Sequence, residues 1–186
     1  MPMPGNLIIT GEEQGLIEGS CNLEDREDTI LVQAFDHVVE IPTDDRGVAS
    51  GRRTHRPMTI TKEIDRSTPM LYQALCTNEL LTEVTLNWYR LDGTGEHELY
   101  YSMFMQNAFI TRIRPWVPNV LDRKNETLKH MEDVSITYEK IIWTWEPDGV
   151  EFEDSWGEIG EEKNDLGGVD RLRGSRDRNI DDSRRK

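Results

Sequence analysis

The sequence is short of nearly everything that marks a catalytic or metal-bearing site. Its two cysteines, Cys21 and Cys76, are too few and too far apart for a disulfide scaffold or a zinc site, and they read as thiols of a reducing cytoplasm. The four histidines, His37, His55, His97 and His130, are scattered, and no pair has metal-ligand spacing on one helix. Asp36, His37 and His55 can be posed as a hydrolytic group, but no serine or cysteine stands in a nucleophile-elbow context. Gly93-Thr94-Gly95 joins two strand-like runs and opens no helix, so it is not a phosphate cradle. With 36 carboxylates in the chain, acid pairs suited to glycoside hydrolysis can always be found and carry no information. The expectation is a protein with no catalytic residue, cofactor or metal.

Base is scarce relative to acid. The formal net charge of −14 argues against nucleic acid, whose phosphates need a positive footprint. There is no apolar run near the roughly 20 residues of a membrane span, so no membrane insertion is expected. Met1-Pro2-Met3-Pro4-Gly5 has neither a basic region nor a long apolar core. The expectation is no cleaved secretory signal, and any export by another route. Hydrophobic residues make up 35% of the chain, a low share diluted by the polar C-terminal end.

What is present is mostly strand. Thr68 suits an N-cap because the residue before a proline is pushed out of the α region, and Pro69 suits the first helical position. Leu71, Ala74 and Leu75 recur at helical spacing, and Asn78 tolerates the left-handed conformation at a helix end. This predicts one helix over about residues 68–78. Val84, Leu86 and Trp88 then alternate with Thr85, Asn87 and Tyr89, the period of a half-buried strand. Shorter strands are expected over Leu7–Thr10 and from Leu16, with a turn over Gly11–Gly15. A longer one is expected over Ile30–Ile41, apolar on both faces as far as Phe35. Met58, Ile60 and Ile64 share a face that Lys62 interrupts. Asp92-Gly93-Thr94-Gly95 makes a tight hairpin with both glycines free to take positive φ. Glu98–Ile113 is too long for a flat strand and predicts a bulge near Gln106-Asn107 that turns one sheet into another. A change of phase across Glu139-Lys140 separates Val134, Ile136 and Tyr138 from Ile141, Trp143 and Trp145.

Two loops interrupt the strands. Pro115–Thr127 is broken by Pro115 and Pro118. Pro42–Pro57 is the longer, with no apolar periodicity, and loops of that length tend to be functional or disordered. Asp44 and Asp45 come first, then Arg52, Arg53 and Arg56, so the loop can dock head to tail on a copy of itself. From about Pro147 the texture changes to acids, then bases. Residues 1–156 form the expected β domain, and 157–186 a polar, disordered tail anchored at Trp156.

The chain from Gly5 to about Trp156 resembles the Hcp (haemolysin-coregulated protein) family of bacterial type VI secretion systems. The resemblance rests on Gln33-Ala-Phe-Asp-His37, Pro42-Thr-Asp44, His55-Arg-Pro57, and Lys62 with Asp65, Pro69, Leu71 and Ala74. Val84-Thr-Leu-Asn-Trp-Tyr-Arg90 is close to the family's signature strand, and Tyr138–Trp143 with Asp154-Ser-Trp156 completes the pattern. The resemblance implies a mainly β fold, a closed barrel of two antiparallel sheets with one helix at its side. It implies a homo-oligomer whose hexameric rings stack into a hollow tube inside a contractile sheath. Spike and baseplate proteins are implied partners, and small effector proteins ride in the lumen. The protein would be made in the bacterial cytoplasm and secreted through the type VI system without a cleaved signal peptide. The ring-to-ring contact would fall on the long loop, at Thr43, Asp44, Asp45, Arg46, Arg52, Arg53, His55 and Arg56. The tail after 156 is too short and too polar for a toxin domain. Two other readings of the bare pattern are a barrel carrying a small apolar ligand under the helix, and an enzyme built on Asp36, His37 and His55.

Overall fold

A computed structural model describes residues 3–155; Trp156 and the tail lie outside the described residues. In chain order come β1 (Gly5–Gly11), β2 (Gly15–Leu16), β3 (Ile30–Val32), β4 (Ala34–Asp36), β5 (Val39–Glu40), β6 (Thr54–His55) and β7 (Met58–Glu63). The helix α1 (Thr68–Thr77) follows, then β8 (Leu81–Leu91), β9 (His97–Trp116), a 3-10 turn over Arg123–Asn125, β10 (Met131–Thr137), β11 (Lys140–Trp145) and β12 (Val150–Ser155). All pairings are antiparallel.

The twenty-residue β9 organises the sheets. Its first half lies between β8 and β11, and its second half pairs with β10. The changeover comes at Asn107, which takes φ 51°, while Gln106 and Ala108 on either side keep their partners Glu83 and Leu81. The register is the same on both sides of Asn107, so no residue is extruded there; β9 instead carries an extra residue at Tyr100 against β8 and at Thr111 against β10. The chain between β10 and β11 breaks opposite Asn107, where the Glu139 carboxylate accepts from Asn107 Nδ2 at 2.6 Å. The expected phase change falls at this corner, but the bulge expected near Gln106-Asn107 does not form there: the register shifts of β9 lie opposite Trp88/Tyr89 and Ser135/Ile136.

Leu7, Ile9, Ile60, Leu86, Met105, Val134 and Ile141 are wholly buried between the layers, with Leu71 and Ala74 of α1. The helix packs against β9, and Asn78 closes it at φ 55°. Its N-cap is Ser67, not Thr68, and no side chain caps it. The Thr68 hydroxyl is instead spent on Glu132, to which it donates at 2.8 Å. Lys62 does not interrupt the β7 face but belongs to it: it is 1% exposed, while Ile64, 44% exposed, lies outside. The Lys62 ammonium reaches Glu132 at 2.7 Å and Asp65 at 2.9 Å. This buried pair pins the first turn of α1 to β7 and β10. Of the hairpin glycines, Gly95 alone takes positive φ, at 91°.

Two further expectations change. Ile30–Ile41 is three short strands: β3 pairs with β1, β4 with β7, and β5 with β6. The break falls at Gln33, whose N–H donates to Thr61 O at 2.9 Å, so the segment leaves one sheet for the other. The fold is mainly β with one α-helix among the described residues, but the hydrogen-bonded path runs from β2 to β4 without returning. The strand ladders by themselves do not show a closed barrel.

Candidate functional site

Residues 37–57 are not a floppy connection. Val39 pairs with His55 and Glu40 with Thr54, Arg56 N–H donates to Val38 O at 2.9 Å, and Thr43 bridges to Ala49. At the tip one Asp44 carboxylate oxygen accepts from the N–H groups of Arg46 and Val48, both at 2.9 Å. Gly47 turns the chain at φ 78°. Asp44 is thus the side chain that makes the turn, as aspartates do when they accept from the backbone two residues on. Every residue from 41 to 53 is nevertheless exposed, including Ile41 at 54% and Val48 at 60%. The hairpin is ordered by its own bonds and contributes nothing to the core.

Its two ends are held together at the sheets by side chains. His37, at the outgoing end, meets the Tyr138 hydroxyl through Nε2 at 2.7 Å. His55, at the returning end, meets the same hydroxyl through Nδ1 at 2.8 Å and Asp154 through Nε2 at 2.9 Å. Arg53 donates to both oxygens of Asp154 from Nε and Nη2. Trp143 lies beside both imidazoles, with ring centroids 6.4 and 6.1 Å away, and stacks on Phe152 at 5.9 Å. Four elements meet here: the hairpin stems, the β10–β11 corner carrying Tyr138, β11 and β12.

The electrostatics follow from the partners. The hydrogen bond from Arg53 holds the Asp154 carboxyl below the usual aspartate range against the opposing push of burial, with a further contribution from His55. Burial lowers the His37 pKa, and the charge on a protonated His55 lowers it further, while Asp36 works weakly the other way. Burial pushes the Tyr138 phenol well up, with Asp154 adding to it. The hydroxyl therefore keeps its proton and acts as donor and acceptor, not as a nucleophile.

The structure divides the expected contact residues in two. Thr43, Asp44, Asp45, Arg46 and Arg52 lie on the projecting part, all exposed. Arg53 and His55 turn inward to Asp154 and Tyr138, and Arg56 is held by Glu40 at 2.7 Å. The hydrolytic grouping is not assembled: the acid bonded to His55 is Asp154, Asp36 is exposed, and the second nitrogen of His55 meets a phenol. Sequence reasoning missed Tyr138 as a bonding partner. The available signal was a histidine at each end of one loop.

Among the described residues no group of histidine, cysteine and carboxylate side chains is placed to hold a metal, and both cysteines are free. No described helix is long and apolar enough to cross a membrane. A surface cleft of about 310 Å³ is lined by Val117, Pro118, Val120, Leu128, Lys129 and His130; it lies at the other end of β10 from Tyr138.

The family model described as "Type VI secretion system effector, Hcp" matches residues 7–145. A Pseudomonas aeruginosa protein named "Major exported protein" is 39% identical over 166 residues, which is 84% of this chain and 96% of that one. The solved structure of the Hcp1 protein from the E. coli EAEC 042 pathovar, in a mutant form, is 32% identical with a TM-score of 0.75, covering 83% of this chain and 99% of that one. The secreted protein Hcp3 from Pseudomonas aeruginosa is 36% identical with a TM-score of 0.68, covering 82% and 97%.

Proposed function

Since the chain belongs to the Hcp family of type VI secretion proteins, we propose that it is the structural subunit of the secretion tube. Six copies close a ring through a head-to-tail lateral contact, as heterologous interfaces do when their rotation closes. Rings stack through the 37–57 hairpin, and small effector proteins travel in the lumen, with the sheath, spike and baseplate as outer partners. In this reading the two sheets close into a barrel, with residues 30–36 bridging β1 and β7. The pairing of β3 with β1 and of β4 with β7 supports that closure. The protein acts by assembly, without catalysis or cofactor, and leaves the cytoplasm through the machine it builds.

The observation that carries the stacking role is the hairpin itself. It is internally hydrogen-bonded, exposed from residue 41 to 53, and presents Ile41 and Val48 beside charges of both signs. A structured apolar projection of that kind fits a partner surface. Asp45, Arg46 and Arg52 are its outward charges, and as exposed pairs each would contribute only about 0–1 kcal/mol. Stacking should therefore be weak singly, additive over a ring and sensitive to salt.

Light scattering behind a sizing column tests the reading. A mass of about six chains supports the closed ring, and larger species that dissolve into it as salt rises support stacking. A monomer unchanged by concentration and salt overturns it.

A further inference from the structure

We propose that Tyr138, His37 and His55 form a latch that fixes the stacking hairpin to the barrel, and that the latch holds with no or one added proton and opens with two. The inference deepens the assignment of the hairpin as the ring-to-ring contact, and its stacking consequence rests on that assignment.

The argument is a count of donors and acceptors. The ionised Asp154 only accepts, so His55 carries a proton on Nε2 and donates it at 2.9 Å. Nδ1 of a neutral His55 is then an acceptor for the Tyr138 hydroxyl proton at 2.8 Å. The phenol oxygen accepts in turn from His37 Nε2–H at 2.7 Å. Three bonds run in one direction, from His37 to Asp154.

One added proton can be absorbed on either ring. A proton on His37 Nδ1 leaves every bond as it was. A proton on His55 Nδ1 reverses the middle of the chain: His55 donates to the phenol, the phenol donates to His37 Nε2, and His37 moves its proton to Nδ1. With both rings protonated no arrangement works. Two N–H groups then aim at one phenol oxygen, the phenol proton has lost both acceptors, and two cations lie with ring centroids 6.4 Å apart.

Among the described residues, the neighbouring charges already have partners of their own. Arg53 is engaged by Asp154, Arg56 by Glu40 and Lys140 by Glu153. Asp36 beside His37 is the one carboxylate that favours its proton, and burial together with His55 outweighs it. The latch therefore stays shut at neutral pH and opens as pH falls below the ordinary histidine range, about 6.5. Release should follow the second proton, the one that burial and His55 make His37 resist.

Hydrogen exchange on the full-length chain tests this, reading the protection of amides 39–55 relative to their unstructured rates at about pH 7.5 and about pH 5. Tyr138→Phe removes the shared hydroxyl and should lower that protection about tenfold at the higher pH, a typical hydrogen-bond effect, and flatten its pH dependence. His37→Gln keeps an Nε2 donor that does not titrate, and should keep the hairpin protected at the lower pH where the wild type loses it. Sedimentation of stacked rings is followed in parallel. Loss of hairpin protection with unchanged stacking leaves the latch standing and removes the hairpin from the ring contact. Protection in Tyr138→Phe equal to wild type, or the same acid release in His37→Gln, overturns the latch.

Discussion

Two polar nodes tie an appendage to the same sheet framework, and they differ in what they are made of. Beneath α1, the wholly buried Lys62 and Glu132 pair with each other, and Asp65, Ser67 and Thr68 complete the node. At the hairpin base the links are two imidazoles, a phenol and one carboxylate, close to solvent on the Arg53 side. The first fastens an element that the core needs, since Leu71 and Ala74 fill it. The second fastens an element that buries nothing of its own from residue 41 to 53. Breaking the first should cost the fold. Breaking the second should cost only the aim of the hairpin.

The largest effect is expected from Lys62→Met. It leaves the buried Glu132 carboxylate without its cation, and removing one partner of a buried pair costs about 3–5 kcal/mol. One Glu132 oxygen already lacks a partner, so the node has no spare donor to offer. Denaturant unfolding monitored by circular dichroism measures the loss. Replacing both partners, as Lys62→Met with Glu132→Leu, should recover most of it. A double variant as unstable as the single would mean that the helix is held by the polar network itself and not by avoidance of a lone charge.

The pH windows of the two nodes should separate next. Burial raises the Asp65 carboxyl, but hydrogen bonds from Ser67 and Lys62 outweigh it and hold it below its ordinary value. Its stabilising contribution is therefore complete above that value and lost as pH falls through the depressed one. His37 is also depressed, by burial first, so the unfolded chain binds its proton more readily and stability declines as pH falls through the histidine range. Unfolding free energy plotted against pH should fall in two steps, a shallow one below about 6.5 and a steeper one below about 4. His37→Gln should erase only the first.

Much of this contrast was legible in the sequence, and the rest was hidden for a physical reason. The helix, its end at Asn78 and the β8 alternation are local, each set by residues within a few positions. The bulges of β9 fall instead at Tyr100 and Thr111, away from the expected Gln106-Asn107. The split of Ile30–Ile41 is not local, because it is decided by the bond from Gln33 to Thr61 on another strand. Lys62 looked like an interruption because its partner Glu132 is 70 positions away. His37 and His55 looked idle because Tyr138 and Asp154 reach them only through the fold, His55 and Asp154 being 99 positions apart. Apolar periodicity locates faces, but it cannot say which polar residue on a face will find a partner.

A smaller effect on folding is expected at the latch than at the helix node. Asp154→Asn keeps the size of the side chain but removes the charge that engages Arg53 and fixes the His55 tautomer. Because Arg53 is half-exposed and its pair is screened, the global loss should stay near about 1 kcal/mol. The hairpin should nonetheless lose its fixed direction, read as a change in Trp143 fluorescence, since that indole lies beside both imidazoles. A loss as large as that of Lys62→Met would erase the distinction between the two nodes.

The smallest effect on the fold should come from reversing the outward charges of the hairpin, Arg46→Glu with Arg52→Glu. Both residues are exposed and neither enters an ion pair among those found in the described residues, so stability should move within about 0.5 kcal/mol. Arg53 and Arg56 are deliberately left alone, because their partners lie within the chain and their loss would mix anchoring with contact. In an assembly the change repeats on every subunit of a ring, so a few tenths of a kcal/mol per subunit adds up across the stack. Stacked species should therefore disappear at low salt while single rings keep their mass. If the rings themselves came apart, the hairpin would belong to the lateral contact, and the second node would then be aiming it sideways.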